Sequence, residues 1–151
     1  MPFDEVLGPV MVPIAFGIAV GAMLLLFRHV ARRYPSIPKR IPWRIEPDGR
    51  PAKRLIGKRF VWLAPAIVAI ALAVTGAFAF GLKPPAESER GMIALVFVIF
   101  AEIAWLVGWS LDRQIEIARK LTYRIAPARI LRACLPVLAT IAVLILVEAR
   151  R

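Results

Sequence analysis

An all-α, polytopic membrane fold with four transmembrane helices and both termini on the outer face is what this sequence predicts. Three observations carry the prediction. Four apolar stretches reach spanning length, positive charge is divided unevenly between the segments joining them, and the stretches lack a two-residue alternation. Crossing a hydrocarbon core of about 30 Å takes about 20 helical residues. The stretches near 9–27, 60–82, 91–111 and 130–147 all meet or approach that length. A membrane barrel would instead show strands of about ten residues alternating between lipid and lumen. With 60% hydrophobic residues, the chain exceeds the usual half of a soluble domain, and the excess is gathered into these blocks. The expectation is a single four-helix membrane domain over 1–151.

The first span, PVMVPIAFGIAVGAMLLLF, follows an acidic leader, MPFDEV, and has no small-x-small cleavage site behind it. Its positive charge comes after the apolar run, as in an uncleaved anchor with its N-terminus outside. The basic, proline-rich loop assigned to 28–59 holds 11 of the chain's 21 Lys and Arg residues and five of its 13 prolines. Pro35, Pro38, Pro42, Pro47 and Pro51 remove amide donors and push the residues before them toward extended geometry, so no helix runs through. Pro47-Asp48-Gly49 marks a turn, with proline setting φ and glycine free to go positive.

The second span begins at Trp62 and is joined to the third by KPPAESER (83–90), short enough to force an antiparallel hairpin. Past Trp109, LDRQIEIARKLTYRI (111–125) places Leu111, Ile115, Ala118, Leu121 and Ile125 at three- and four-residue steps. That pattern predicts an amphipathic helix, either lying on anionic headgroups or packed on the first loop. The segment 112–132 holds six further basic residues, against two in the 83–90 connection, two at the C-terminus and none in the N-terminal tail. Seventeen against four sets the first and third loops in the cytoplasm under the positive-inside rule.

Contacts between helices in lipid rely on small residues. Gly17 and Gly21 form a GxxxG in the first span, Ala69, Ala73 and Ala77 share a face of the second, and Ala104 and Gly108 repeat the spacing in the third. Pro13, Pro65 and Pro136 are expected to kink or locally unwind their helices. Among ionisable residues Glu102 alone lies deep in a span, where an acidic group costs about 2.5–3.5 kcal/mol on insertion scales. It is expected to pair with Thr75 or Thr140, or to serve a proton-coupled site. His29 is the sole histidine and Cys134 the sole cysteine, and neither has companions at metal-ligand spacing. With no Ser-His-acid set, phosphate loop or paired carboxylates, the sequence predicts no catalysis, no metal and no cofactor.

Residues 34–67, YPSIPKRIPWRIEPDGRPAKRLIGKRFVWLAPAI, carry one recognisable pattern. Ile37-Pro38, Ile41-Pro42, Gly49, Pro51, Lys58 and Pro65 resemble the motif of the uncharacterised domain at the N-terminus of SdpI-type bacterial immunity proteins. Arg44 stands where that family has histidine and Ala52 where it commonly has aspartate, and Ile56-Gly57 replaces its Gly-Ser. The resemblance covers about a quarter of the chain. It implies the bacterial cytoplasmic membrane and a non-enzymatic role in immunity or signalling. The partners expected are a bilayer with anionic headgroups and a membrane-protein partner or second copy of the chain. Nucleic acid is not expected, because the basic residues sit where membrane flanks need them. Three functions follow: a partner-binding, immunity-like protein, an accessory subunit of a larger membrane complex, or a small proton-coupled transporter acting as a dimer.

Overall fold

The computed structural model describes residues 3–81, 86–120 and 124–149. Four helices dominate it: α1 (Phe3–Arg33), α2 (Leu63–Gly81), α3 (Glu87–Ala118) and α4 (Pro127–Ala149). All four are long and apolar enough to cross a membrane. Between α1 and α2 lies a two-stranded antiparallel hairpin, β1 (Arg40–Pro42) and β2 (Leu55–Gly57), flanked by 3-10 turns at Tyr34–Ser36 and Lys58–Trp62.

Two helices run beyond their apolar spans. Arg28–Arg33, expected to open the first loop, continues α1 because no proline or glycine interrupts it, and Arg32 and Arg33 complement the negative end of the helix dipole. Pro35 then tightens the chain into a 3-10 turn, and Pro38 holds Ile37 extended at φ −75°, ψ 129°. At its start α3 takes in Glu87 and Glu89, acidic residues suited to a helix N-terminus. The Glu89 carboxylate accepts the Ala86 amide at 3.2 Å, which is half of a capping box, since alanine has no side-chain acceptor to complete it.

The amphipathic helix expected over 111–125 stops at Ala118. Lys120 takes a left-handed φ of 59° and closes α3, and its amide donates to the Ile117 carbonyl at 2.9 Å. Leu121 lies outside the described residues, and Ile125 has left the helix altogether. Of the three span prolines, Pro65 falls in the first turn of α2, where its missing N–H breaks no intrahelical bond. Helical geometry continues through Pro13 and Pro136, so neither unwinds its helix.

The core is a parallel seam between α1 and α3. Val12, Ala15, Ala19, Met23, Leu26 and Val30 are buried along α1 at steps of three and four. Ala94, Phe97, Ala104, Leu111 and Ile115 answer along α3 on a seven-residue pattern, the spacing that keeps one helix stripe facing another. Antiparallel to both, α2 turns Pro65, Leu72, Gly76 and Ala79 inward. Phe16, Phe80 and Phe97 meet at one end with centroids 5.1–6.3 Å apart. At the other end Trp62 stacks on Phe27 at 6.1 Å and leans on Tyr34. Gly76 is needed here, because a Cβ would stand 2.7 Å from the Phe16 ring. The face expected for α2 is thereby displaced: Ala73 and Ala77 point outward, and Ala69 is half-buried.

The small-residue pairs divide. Ala104 is 1% exposed, and a Cβ on Gly108 would lie 3.4 Å from Leu26. Gly17 and Gly21 meet nothing within 4 Å, because the inward stripe of α1 runs through Ala15 and Ala19 instead. The last helix, α4, packs on α3 and buries only 6% of its apolar window.

Introducing bulk affects only one of the two kinds of small residue. Ala104→Leu overpacks the seam and destabilises by about 1–3 kcal/mol. Gly21→Leu stays within about 0.5 kcal/mol. Thermal unfolding of the detergent-solubilised protein, followed by circular dichroism, checks both.

Candidate functional site

Two places gather polar side chains: the folded hairpin, and the junction of α3 with α4. The hairpin follows from its prolines and one glycine. Arg40, Ile41 and Pro42 register with Gly57, Ile56 and Leu55. The ladder continues outward through Trp43 N–H to Arg54 O (2.9 Å), Ala52 N–H to Arg44 O (3.0 Å) and an Ile45–Pro51 bridge. It closes at Pro47-Asp48-Gly49, where Gly49 N–H donates to Glu46 O at 2.8 Å and Gly49 adopts φ +83°. A turn followed by a left-handed glycine is a common three-residue hairpin closure. Asp48 reinforces it by accepting the Arg50 amide at 3.0 Å.

This hairpin is docked onto the helices. Ile41 is 0% exposed, and Ile37 and Val61 join it in the same core as Leu111 and Ile115 of α3. Gln114 Nε2 donates to the Trp43 carbonyl at 3.1 Å, and the Arg119 guanidinium donates to the Ser36 carbonyl. The hairpin tip also holds the connection to α4: Arg124 Nε donates to Asp48 O and the Ile125 amide to Gly49 O, both at 2.8 Å. The end of α3, with Arg124 and Ile125, therefore packs on the first loop, one of the two arrangements its pattern allows.

The motif residues Ile37, Ile41, Pro42 and Gly49 are buried, and Pro38 is half-buried. Lys58 lies 4.3 Å over the Tyr34 ring, and its amide donates to Lys39 O at 3.1 Å. Arg44 projects outward with its Nε committed to Glu46 at 3.1 Å, and Arg50 faces Asp48 at 3.5 Å. Lys39, Arg40, Lys53, Arg54 and Arg59 are exposed and make no ion pair among the described residues. Trp43, Leu55 and Phe60 are exposed among them, and Trp43 and Phe60 border a cleft of about 300 Å³ roofed by the hairpin over α2 and α3.

The hairpin end is tied a second way. Asp112 of α3 accepts from His29 Nε2 at 3.1 Å and Arg33 Nε at 3.2 Å, both on the last turns of α1. With these groups partly exposed, the net stabilisation is about 0–1 kcal/mol, and the effect is to fix the rotation of the two helix ends. The sequence carries a signal for it: His29 and Arg33 are one turn apart, and Asp112 stands just beyond the third apolar span.

Glu102 faces α4. Thr140 Oγ1 donates to Glu102 Oε1 at 2.8 Å and also lies 3.2 Å from the Pro136 carbonyl, while Glu102 Oε2 is buried with no partner among the described residues. Thr75 turns instead to its own backbone, donating to Ala71 O at 2.9 Å. Glu102 lines neither the cleft under the hairpin nor the one between α1 and α3. The bond to Thr140 joins α3 to α4 and is one of the two pairings expected for this carboxyl. No three His, Cys, Asp or Glu side chains come together as a metal site among the described residues. Cys134 is a half-buried free thiol on α4.

Comparison with protein-family models, curated proteins and solved structures gives no match.

Two substitutions test these joints. Thr140→Val removes the donor to Glu102 and destabilises by about 0.6–1.7 kcal/mol, the range measured for hydrogen bonds between membrane helices. On a Glu102→Ala background the same change has no measurable effect. Unfolding in mixed detergent–SDS micelles reads the difference, and equal losses in both backgrounds would refute the pairing. Gly49→Ala places a Cβ 1.7 Å from the Ile125 carbonyl oxygen at a left-handed φ. A loss exceeding about 1–2 kcal/mol follows, with faster proteolysis of the hairpin as its local signature.

Proposed function

We propose that this chain is a non-catalytic, multi-pass protein of a bacterial cytoplasmic membrane that binds an acidic partner protein through its hairpin. The observation that carries the reading is the state of the hairpin. A basic loop that served only to set orientation needs no fold. This one is closed by a turn, plugged into the core by Ile37 and Ile41, and bonded to both neighbouring helix ends. Its remaining surface offers five cations without an ion pair among the described residues, interleaved with Trp43, Leu55 and Phe60. Aromatic anchors beside arginines are the composition of interface hot spots, and a pre-ordered surface loses less entropy on binding than a flexible one.

The seventeen-to-four division of basic residues supports the cytoplasm for the hairpin end and the outside for both termini. The Ile-Pro pairs, Gly49, Lys58 and Pro65 support kinship with the SdpI-type domain and with it an immunity or signalling role. Arg44 in place of that family's histidine favours binding over proton chemistry, since a guanidinium stays charged. The largely uncovered α4 favours a second reading, an accessory subunit seated against a larger membrane protein.

A reporter active only outside the cytoplasm, fused after Arg151, is expected to be active, and one inserted at Asp48 inactive. Activity of a cytoplasm-only reporter after Arg151 would overturn the topology. After gentle detergent extraction, the native chain migrates with a partner protein, and Lys53→Gln/Arg54→Gln weakens that association. Migration as a bare monomer or dimer counts against both readings.

A further inference from the structure

A second cleft, of about 610 Å³, opens between α1 and α3 at the hairpin end. Its floor is apolar: Leu25 and Leu26 of α1 face Ala104 and Gly108 of α3. Trp105 and Trp109 line the α3 side, and Trp105 is 52% exposed. Arg28 and Arg32, one helical turn apart on α1, stand at the rim. Both are exposed, and neither makes an ion pair among the described residues. The one acid at the rim, Asp112, is already held by Arg33 and His29 and leaves Arg28 and Arg32 uncommitted. No function is assigned to this cleft by the hairpin, which lies over a different one.

We propose that this cleft binds an anionic glycerophospholipid, its phosphate held by Arg28 and Arg32 and its upper acyl chain laid along Leu25 and Leu26. The proposal rests on the membrane placement argued above and adds a ligand to it. Three features select the occupant. Guanidinium groups match phosphate oxygens in pairs, and two spaced by a turn can share one headgroup. Tryptophan at this level belongs to the depth where headgroup meets hydrocarbon. The apolar floor of Leu25, Leu26, Ala104 and Gly108 decides between a lipid and a free anion, in a cleft large enough for more than a phosphate. Inorganic phosphate would satisfy the arginines and leave the apolar floor wet. A basic pocket between helices at the cytoplasmic face is the setting in which anionic headgroups are recognised.

The test uses the full chain purified in detergent and stripped of lipid, then mixed with phosphatidylglycerol, cardiolipin or phosphatidylcholine and read by native mass spectrometry. Phosphatidylglycerol or cardiolipin is expected to bind roughly tenfold or more tighter than phosphatidylcholine, and R28Q/R32Q to lose that preference. Both arginines are exposed, so the variant folds, and an unchanged melting temperature without lipid verifies it. R40Q/R54Q, with the same charge change on the hairpin, is expected to keep the preference. Four outcomes overturn the proposal: an unaltered preference in R28Q/R32Q, an equal loss in R40Q/R54Q, equal binding of phosphatidylcholine, or displacement of phosphatidylglycerol by millimolar inorganic phosphate. Release of the chain from membranes by alkaline carbonate would instead overturn the membrane placement itself.

Discussion

Everything in this molecule is built on the parallel contact between α1 and α3. Helices that share a direction cannot be joined by a short loop, so the chain must cross back between them, and α2 with its two connections makes the crossing. The contact is close because alanine supplies much of it: Ala15 and Ala19 on one side, Ala94 and Ala104 on the other. For helices apolar enough to span a membrane, lipid leaves little to gain from hiding leucine, and dispersion between closely fitted surfaces is what carries association. Larger residues stand toward the two ends of the seam. Phe97 fills one end against Phe16, and Leu111 and Ile115 fill the other, where the hairpin closes over them.

The hairpin depends on that seam directly. Ile37 and Ile41 have somewhere to go only because α1 and α3 end together, with α3 overshooting to present Leu111 and Ile115. Asp112 keeps the two ends in register with a pair of contacts to α1. From this arrangement come two surfaces of different character. The hairpin shows cations and aromatic rings to the solvent side, while the flank of the seam offers an apolar slot with arginines at its mouth. One helix pair thus underlies both the proposed protein-binding face and the proposed lipid site.

The helices were legible because hydropathy averaged over 18 or more residues survives local noise, whereas their ends were not. Arg28–Arg33 reads as loop when charge is the criterion, yet nothing before Pro35 stops the helix. The pattern over 111–125 reads as helix, and only the left-handed Lys120, which no composition rule marks, ends it. Spacing could not separate Gly17 and Gly21 from Ala104 and Gly108, because the inward face is chosen by the partner helix. Likewise Thr75 and Thr140 were equal candidates for Glu102 until the packing of α4 on α3 decided between them. The Ile-Pro dipeptides were visible as a motif, but that each isoleucine is a core plug needed the docked hairpin to be seen.

The pairing of Glu102 with Thr140 also bears on how the protein is made. Synthesis completes α3 before α4, so for a time the carboxyl of Glu102 lacks the Thr140 hydroxyl that meets it in the finished fold. Its donor, Thr140, is on α4, and the chain just before that helix is tied to the hairpin tip by the bond from the Ile125 amide to the Gly49 carbonyl. A chain that stalls or is truncated before α4 therefore carries an unmet acidic group at mid-span. The packing of α4 on α3 is thus what gives the Glu102 carboxyl its donor.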